Sequence, residues 1–282
     1  MAPPPSASLP LGERILALAK TLQFAWFSGH LVLLLCISRY FFSFISLNST
    51  SRWARFSYRT AFISAAVTYG IVVYKTWRAR QKVGAKNPGA LGLLSDENVQ
   101  YLAMALVWLL SPQYAFALFP YGIYSVFHVA TYTRNNVIPT IQPNKAPTGA
   151  SPGTKSQYAN PLAEAIGTFV KQYYDMSMSV VSSLEILLWF RLFLSAIFFQ
   201  RGSWILITIY TVFLRTRFAQ STHVQDSFRR LESRLDSLVG AQGNPPALRS
   251  VWEGVKNGAR QFHDATDLGK YANGSAVPKK TS

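Results

Sequence analysis

The sequence predicts an all-α, polytopic membrane protein whose transmembrane helices are short and broken by proline, followed by C-terminal amphipathic helices. Three observations carry that prediction. Apolar runs recur at about residues 24–47, 60–74, 99–132, 177–200 and 203–214, and runs approaching 20 apolar residues match the thickness of a hydrocarbon core. The stretch 99–132 holds no charged residue and is bracketed by Glu97 and Arg134. Pro112 and Pro120 interrupt it, and each removes a backbone donor and clashes with the turn before it, so two short helices joined by a break at Ser111-Pro112 or near Phe119-Pro120 are expected, with bounds of about 99–111 and 113–132. Such a pair either crosses as thin, tilted spans or enters the bilayer and turns back. Finally, two segments beyond residue 215 repeat apolar residues at helical spacing.

Taken in order, residues 1–12 are rich in Pro and Ser and are expected to be disordered. Residues 12–20 begin a helix that is expected to run into the first span. Arg39 and the aromatics Phe41, Phe42 and Phe44 read as a headgroup-level ending. His30 is the basic side chain within that core. It has no second His and no acid at ligand spacing, and so reads as packing on a neighbouring helix rather than as a metal ligand. The second span, 60–74, is short, with Arg59 and Lys75 placed to snorkel. Its Ala65, Ala66 and Gly70 permit close helix contact. Membrane helices 1 to 4 thus fall within residues 13–132.

Residues 133–161 contain Pro139, Pro143, Pro147 and Pro152 among Gly, Ser, Thr and Asn, which describes a flexible cytoplasmic linker. Leu162, Ile166, Phe169, Val170 and Tyr173 then recur at helical spacing, predicting an amphipathic surface helix over 162–175. Residues 176–215 supply membrane helices 5 and 6. Glu185 and Arg191 lie within the first of these, about 240° apart around a helix, so each needs a partner elsewhere. A structural ion pair or hydrogen bond between spans outweighs a transport pathway, because no repeated halves and no second acidic site are present. The last run, 203–214, is short unless the stems of Arg201 and Arg215 extend it.

In the tail, 216–264, Phe218, Val224, Phe228, Leu231, Leu235 and Leu238 follow 3–4 steps against Arg229, Arg230, Glu232, Arg234 and Asp236. Leu248, Val251, Trp252, Val255 and Phe262 form a second stripe opposite Arg249, Glu253, Lys256 and Arg260. A basic amphipathic helix with Trp and Phe on its apolar side suits a membrane surface. Packing on the protein's own cytoplasmic face, or pairing with a second copy as a short coiled coil, is the alternative. Residues 265–282 read as a disordered tail ending in Lys279, Lys280, Thr281 and Ser282. Lysines third and fourth from a cytosolic C-terminus look like a dilysine signal for retrieval to the endoplasmic reticulum.

Net charge is +16, with mean hydropathy only +0.13 because two polar segments dilute the apolar runs. Lys75, Arg78, Arg80, Lys82 and Lys86 crowd the second loop, and the tail beyond residue 214 carries 11 Lys or Arg against 6 Asp or Glu. Short basic loops stay cytoplasmic, which assigns the N-terminus, the 75–98 loop, 133–176 and the tail to the cytosol. Arg52, Arg55 and Arg59 sit awkwardly in that topology. The single Cys36 forms no internal disulfide. The first apolar run lacks a small-residue cleavage pattern and reads as a retained anchor. The sequons at Asn48 and Asn273 are expected to escape glycosylation, one too near the bilayer and the other cytosolic.

Catalytic signatures such as GxSxG, HExxH, GxGxxG, a Walker loop or CxxC are absent. No enzyme, cofactor or metal is therefore expected. The tail's cations alternate with acids and apolar residues, which argues against nucleic acid. An anionic lipid surface or an importin is the partner such a tail suits.

The residues Phe119-Pro120, Ser125, His128, Thr131-Tyr132, Glu185-Ile186 and the exit around Arg215 to Phe218 give the chain a resemblance to the transmembrane protein 33 (Krüppel homologue 2) family, whose fungal members include a pore-membrane nucleoporin. The similarity covers roughly 15–240, with the second tail helix and the ends looking like fungal-type additions. The resemblance implies a non-enzymatic protein of the endoplasmic reticulum and nuclear envelope. It also implies association with reticulon-type curvature proteins and with nucleoporins, in reticulum tubule organisation and pore distribution or assembly. It offers no catalytic residues to carry over. Two alternatives from other classes are a transporter or channel lined by His128, Glu185 and Arg191, and a docking platform for soluble partners.

Overall fold

The computed structural model describes residues 5–6, 8–83, 92–93, 95–143, 160–241 and 244–267. Among them all regular structure is helical. Two compact units are present, 1–224 and 225–282. Lys279, Lys280 and the sequon at Asn273 lie outside the described residues.

In the first unit, α1 (Leu11–Ala19) does not run into the first span. Thr21 adopts an extended backbone and caps α2 (Leu22–Ile45): its hydroxyl accepts from the Phe24 N–H at 3.1 Å and donates to the Leu18 carbonyl at 2.7 Å. A threonine satisfies one helix end and opens the next, and the chain bends there. α2 passes straight through Arg39, whose guanidinium bonds Ser43, and Tyr40 is buried with its ring 5.3 Å from Tyr58. The aromatic stretch after Arg39 is therefore helix rather than a separate interfacial piece.

α3 (Arg52–Lys82), capped by Ser51, is twice the length of the apolar run 60–74. It packs antiparallel on α2. The close approach is at Gly29, where a β-carbon would stand 2.5 Å from Thr68 Cγ2. Gly70, expected to serve closeness, has nothing within 4 Å. Ala65, in contrast, is fully buried.

α4 (Glu97–Leu110) starts at the Asp96 cap and ends at Ser111, whose backbone is extended because Pro112 follows it. A single 3₁₀ turn (Ala115–Ala117) leads into α5 (Leu118–Tyr132). Pro120 falls in the first turn of α5, where its missing N–H costs nothing, so the break is at Pro112. At 14 and 15 residues, α4 and α5 are roughly 21 and 22 Å long, short of a core of about 30 Å.

The linker expected at 133–161 is helical at its start: a π turn (Thr133–Val137) and α6 (Ile138–Ile141) continue from α5. Pro139 is tolerated because it lies in the first turn of α6. Residues 144–159 lie outside the described residues. The surface helix at 162–175 and the fifth span are one element, α7 (Pro161–Ile197), with Asn160 capping it and Pro161 at its first position. Gly167 sits within its second turn without ending it, no glycine or proline follows, and its 37 residues extend about 55 Å. Its buried residues begin at Met178. α8 (Ser203–Gln220) closes the unit.

The α2–α3 and α7–α8 turns share one geometry. Leu47 and Phe199 occupy the left-handed position with φ of 56° and 51°. Asn48 N–H reaches the Ser43 carbonyl at 2.8 Å and Gln200 N–H the Ser195 carbonyl at 3.0 Å, closing Schellman motifs. Among the described residues three helices, α2, α3 and α7, are long and apolar enough to cross a membrane. The chain is an all-α, polytopic membrane protein. Its core is aromatic, built on Tyr58, Phe62, Tyr101, Trp108, Tyr121 and Tyr210.

The second unit holds most of α9 (Thr222–Gly240) and α10 (Pro246–Ala265).

The glycine contrast is testable by thermal unfolding in detergent. Gly29→Val, forced against Thr68, is expected to cost about 1–3 kcal/mol. Gly70→Ala, with open space around it, should gain roughly 0.5–1 kcal/mol.

Candidate functional site

Three helices each carry a buried stripe at 3–4 spacing, and each stripe contains an ionisable group or points to one. Met178, Val181, Glu185, Leu188 and Leu192 form the inner face of α7, and Leu206, Tyr210, Phe213 and Arg217 that of α8. On α4 the matching face is Tyr101, Met104 and Trp108, with Glu97 one turn earlier. Helical periodicity alone thus turns Glu185 and Arg217 into the core.

The geometry there is specific. Glu185 is 1% exposed and Arg217 4%. Tyr101 Oη donates to Glu185 Oε1 at 2.5 Å, and Arg217 Nε faces Glu185 Oε2 at 3.5 Å. Arg217 Nη1 donates to Glu97 Oε1 at 2.5 Å and Nη2 to Tyr124 Oη at 3.3 Å, while Tyr124 Oη donates to Glu97. Arg217 also stacks over the Tyr101 ring, 5.3 Å from its centroid. Tyr210 Oη donates to the Glu185 backbone carbonyl at 3.1 Å. One guanidinium therefore lies between a buried carboxylate and one that is 48% exposed, joining α4, α7 and α8.

The sequence requires a distant partner for Glu185 but does not single out Arg217. The signal was its place on the 206, 210, 213, 217 register, hidden because an arginine leaving an apolar run normally snorkels. Arg191 is elsewhere: it bonds Ser195 and lies 5.9 Å from the Tyr114 ring centroid.

The other family-motif residues gather around α5. Ser125 is fully buried, donates to the Tyr121 carbonyl at 2.6 Å, and has its Oγ 2.8 Å from His30 Nδ1. The His128 ring packs 4.8 Å from His30 and 4.9 Å from Trp26. His30 therefore does have a second histidine beside it, brought by α5 rather than by chain spacing. Among the described residues no group of three or more His, Cys, Asp or Glu stands within reach of one metal ion. Tyr132 is buried and stacks on Phe27 at 4.6 Å. Phe119 packs on Phe41 at 4.6 Å, Pro120 is buried beside it in sequence, and Thr131 is half-buried. Of the residues of the channel alternative, His128 stacks on Tyr124, 6.4 Å between ring centroids, at the margin of the Glu185 network, whereas Arg191 has Ser195 and Tyr114 as its neighbours. Cavities of about 270 and 150 Å³ are lined by none of them.

In the tail, α10 has no buried residue. Val251, Val255, Phe262 and Leu248 are 65%, 54%, 48% and 44% exposed on one face. Trp252, expected among them, is only half-exposed. Its indole N–H donates to Asp236 Oδ1 at 2.6 Å, and Lys256 joins the same oxygen at 3.0 Å. On α9, Leu238 is exposed, whereas Phe228, Leu231 and Leu235 are half-buried and Val224 is buried. Phe218, placed by the sequence at the start of this stripe, lies in α8 and is half-buried.

Two outcomes follow. Glu185→Ala leaves a buried guanidinium short of one counter-charge and should cost about 3–5 kcal/mol in denaturant unfolding. Glu185→Leu combined with Arg217→Met should recover most of that loss. The Trp252 and Lys256 donors hold the Asp236 carboxyl below the usual carboxylate range. The α9–α10 contact should therefore be fully formed above the ordinary carboxylate pKa and lost only as pH falls through the lowered value. Spin labels at Ser237→Cys and Asn257→Cys in a Cys36→Ser chain would show an unchanged distance from pH 7 to 5 and separation below about pH 4.

The comparisons bear on the whole of this architecture. A family model described as transmembrane protein 33/nucleoporin POM33 matches residues 12–263, so the second tail helix falls inside the family pattern rather than beyond it. "Nucleoporin POM33" of Chaetomium thermophilum is 64% identical, covering 99% of both chains. "Tetra-spanning protein 1" of Schizosaccharomyces pombe is 32% identical over 90% of this chain and 88% of its own. "Pore membrane protein of 33 kDa" of Saccharomyces cerevisiae is 28% identical over 89% and 87%. No solved structure matches. The chain belongs to the transmembrane protein 33/nucleoporin POM33 family.

Proposed function

We propose that this chain is a non-enzymatic membrane protein of the endoplasmic reticulum and nuclear envelope that stabilises curved membrane. In that role it contributes to reticulum tubule organisation and to the distribution or assembly of nuclear pore complexes. The relatives' names, a nucleoporin and a pore membrane protein, support the location. The observation that carries the mechanism is the bare apolar face of α10, Leu248, Val251, Val255 and Phe262. Each of these half-exposed side chains gains on the order of 1 kcal/mol on leaving water. That suffices for shallow insertion by a chain already anchored in the same membrane. Phe228, Leu231, Leu235 and Leu238 of α9 extend the apolar surface on this reading.

Two features of the membrane unit support an uneven occupation of the leaflets. Tyr58 Oη accepts from the Tyr114 N–H at 3.1 Å, and Arg59 donates to the carbonyls of Trp108 and Leu109, so the tip of the α4–α5 pair sits beside Tyr58 and Arg59. Arg59 is seven residues into α3, which places that tip about 10 Å short of the α2–α3 turn. We place α4 and α5 as a hairpin entering and leaving on the cytosolic face. The α2–α3 and α7–α8 turns carry Leu47 and Phe199, 95% and 80% exposed, at left-handed positions where glycine would be unstrained. Accepting that strain for a large apolar side chain fits a turn set against lipid.

Anionic lipid, reticulon-type membrane proteins and nucleoporins are the partners this function requires. Importin docking and self-association through the tail are compatible additions.

The test uses the full-length chain in giant vesicles with tubules pulled from them. Its density on the tubule relative to the flat membrane should exceed one and rise as the tubule narrows. Val251→Asp with Val255→Asp should return the ratio to about one. Trp252 is left intact because its bond to Asp236 serves the hairpin. A ratio unchanged by the two aspartates would refute the wedge.

A further inference from the structure

Arg14 is buried on the inner face of α1, one turn before the elbow with α2, and among the described residues nothing neutralises it. It is 8% exposed, on the inner face of α1 with Leu18. Its Nε and Nη1 are buried with no hydrogen-bond partner among the described residues, and no ion pair is formed there. The 12 Asp and Glu of the sequence all lie within the described residues: Glu13, Asp96, Glu97, Glu164, Asp175, Glu185, Asp226, Glu232, Asp236, Glu253, Asp264 and Asp267. None of them reaches Arg14. An unpaired buried cation is costly enough that a compensating anion has to come from outside the polypeptide.

The surroundings indicate which anion. α1 packs on α6, and one turn along the same face Ala17 and Leu18 line a cavity of about 270 Å³ shared with Leu9, Thr21, Gln23 and Asn136. Gln23 also borders a second cavity, of about 150 Å³, with Trp26, Lys75 and Tyr132. Lys75 follows the apolar run of α3 and Gln23 opens that of α2, so the elbow lies at the level where both candidate spans leave the apolar layer. A small, largely apolar cavity with Thr21, Gln23 and Asn136 at its wall, one turn along α1 from an uncompensated arginine at headgroup depth, matches the glycerol and upper acyl part of a phospholipid whose phosphate reaches Arg14.

We propose that the α1–α2 elbow is a discrete binding site for one anionic phospholipid, whose headgroup phosphate pairs with Arg14 while its glycerol end lies against Leu18 and Thr21. The site is separate from the tail wedge: it sits in the first unit and holds one lipid by hydrogen bonding, whatever the membrane curvature. A guanidinium gives two parallel donors to a phosphate, which an ammonium does not.

The experiment is thermal unfolding of the purified full-length chain in detergent, titrated with phosphatidylinositol, phosphatidylcholine or inorganic phosphate. Phosphatidylinositol should raise the midpoint saturably, with phosphatidylcholine and inorganic phosphate giving little or no shift. Arg14→Gln should weaken the phosphatidylinositol response about tenfold or more, and Arg14→Lys by less. Without lipid, Arg14→Gln should melt no lower than the parent, because it removes a charge that nothing offsets. An undiminished lipid response in Arg14→Gln, no response in the parent, or an equal shift from inorganic phosphate each overturns the assignment. So does a lipid-free Arg14→Gln that melts lower or fails to fold, because Arg14 would then have an internal partner.

Discussion

A carboxylate at 1% exposure on an apolar helix has to be neutralised, and the way Glu185 is neutralised sets where the shorter helices sit. Its counter-charge, Arg217, comes from the end of α8, and the second ligand of that guanidinium, Glu97, comes from the start of α4. Because Glu97 is half in water and Glu185 is not, the pair is anchored at a wet edge while reaching into the core. Buried ion pairs add little net stability compared with apolar packing, but losing one partner is expensive. Such a pair therefore fixes register more than it adds strength. Tyr101, Tyr124 and Tyr210 complete the arrangement by supplying hydroxyls where leucine would leave the carboxylate and guanidinium bare.

The same logic applies at the opposite end of α4. A helix of 14 residues interrupted by Pro112 leaves carbonyls without partners in a region where water is scarce. Arg59 takes up those of Trp108 and Leu109, and the Tyr58 hydroxyl takes the first N–H after the break, at Tyr114. The arginine that fitted the charge rule poorly is thus a cap for a helix far away in sequence. Its position in the chain reports packing rather than sidedness. The two ends of α4 are held by different elements, α8 with α7 at one and α3 at the other, so the uncharged stretch is fastened at both.

What could be read from the sequence was what periodicity and punctuation encode. A proline break within 99–132, the apolar stripe on α10, and the need of Glu185 for a partner all follow from spacing and from the cost of buried charge. Helix ends were harder, because capping decides them locally. Thr21 splits α1 from α2, whereas nothing stops α7 between residues 161 and 197, so two expected pieces became one. Which glycine brings helices together was also illegible: Gly29 and Gly70 look alike in sequence, and only the crossing point of α2 on α3 distinguishes them. The histidine pair and Arg217 required knowing which helices are neighbours, and composition does not say. Trp252 stands on the apolar side of the helical wheel, yet Asp236 lies within reach and takes its N–H.

A rigid, fastened membrane unit and a tail with an uncovered apolar face divide the proposed work between them. On the proposed function the unit would fix position and depth in the bilayer, and the tail would hold curvature. The depth of the short hairpin is the central claim, and single-cysteine accessibility in sealed microsomes tests it most directly. In a Cys36→Ser background, Asn98→Cys and Asn135→Cys should react with an impermeant maleimide from the cytosolic side. Asn48→Cys should react only after permeabilisation, and Gln113→Cys should stay protected from both sides. Ready labelling of Gln113→Cys from the lumenal side, at the rate of Asn48→Cys, would mean that the stretch crosses the membrane and would contradict the account.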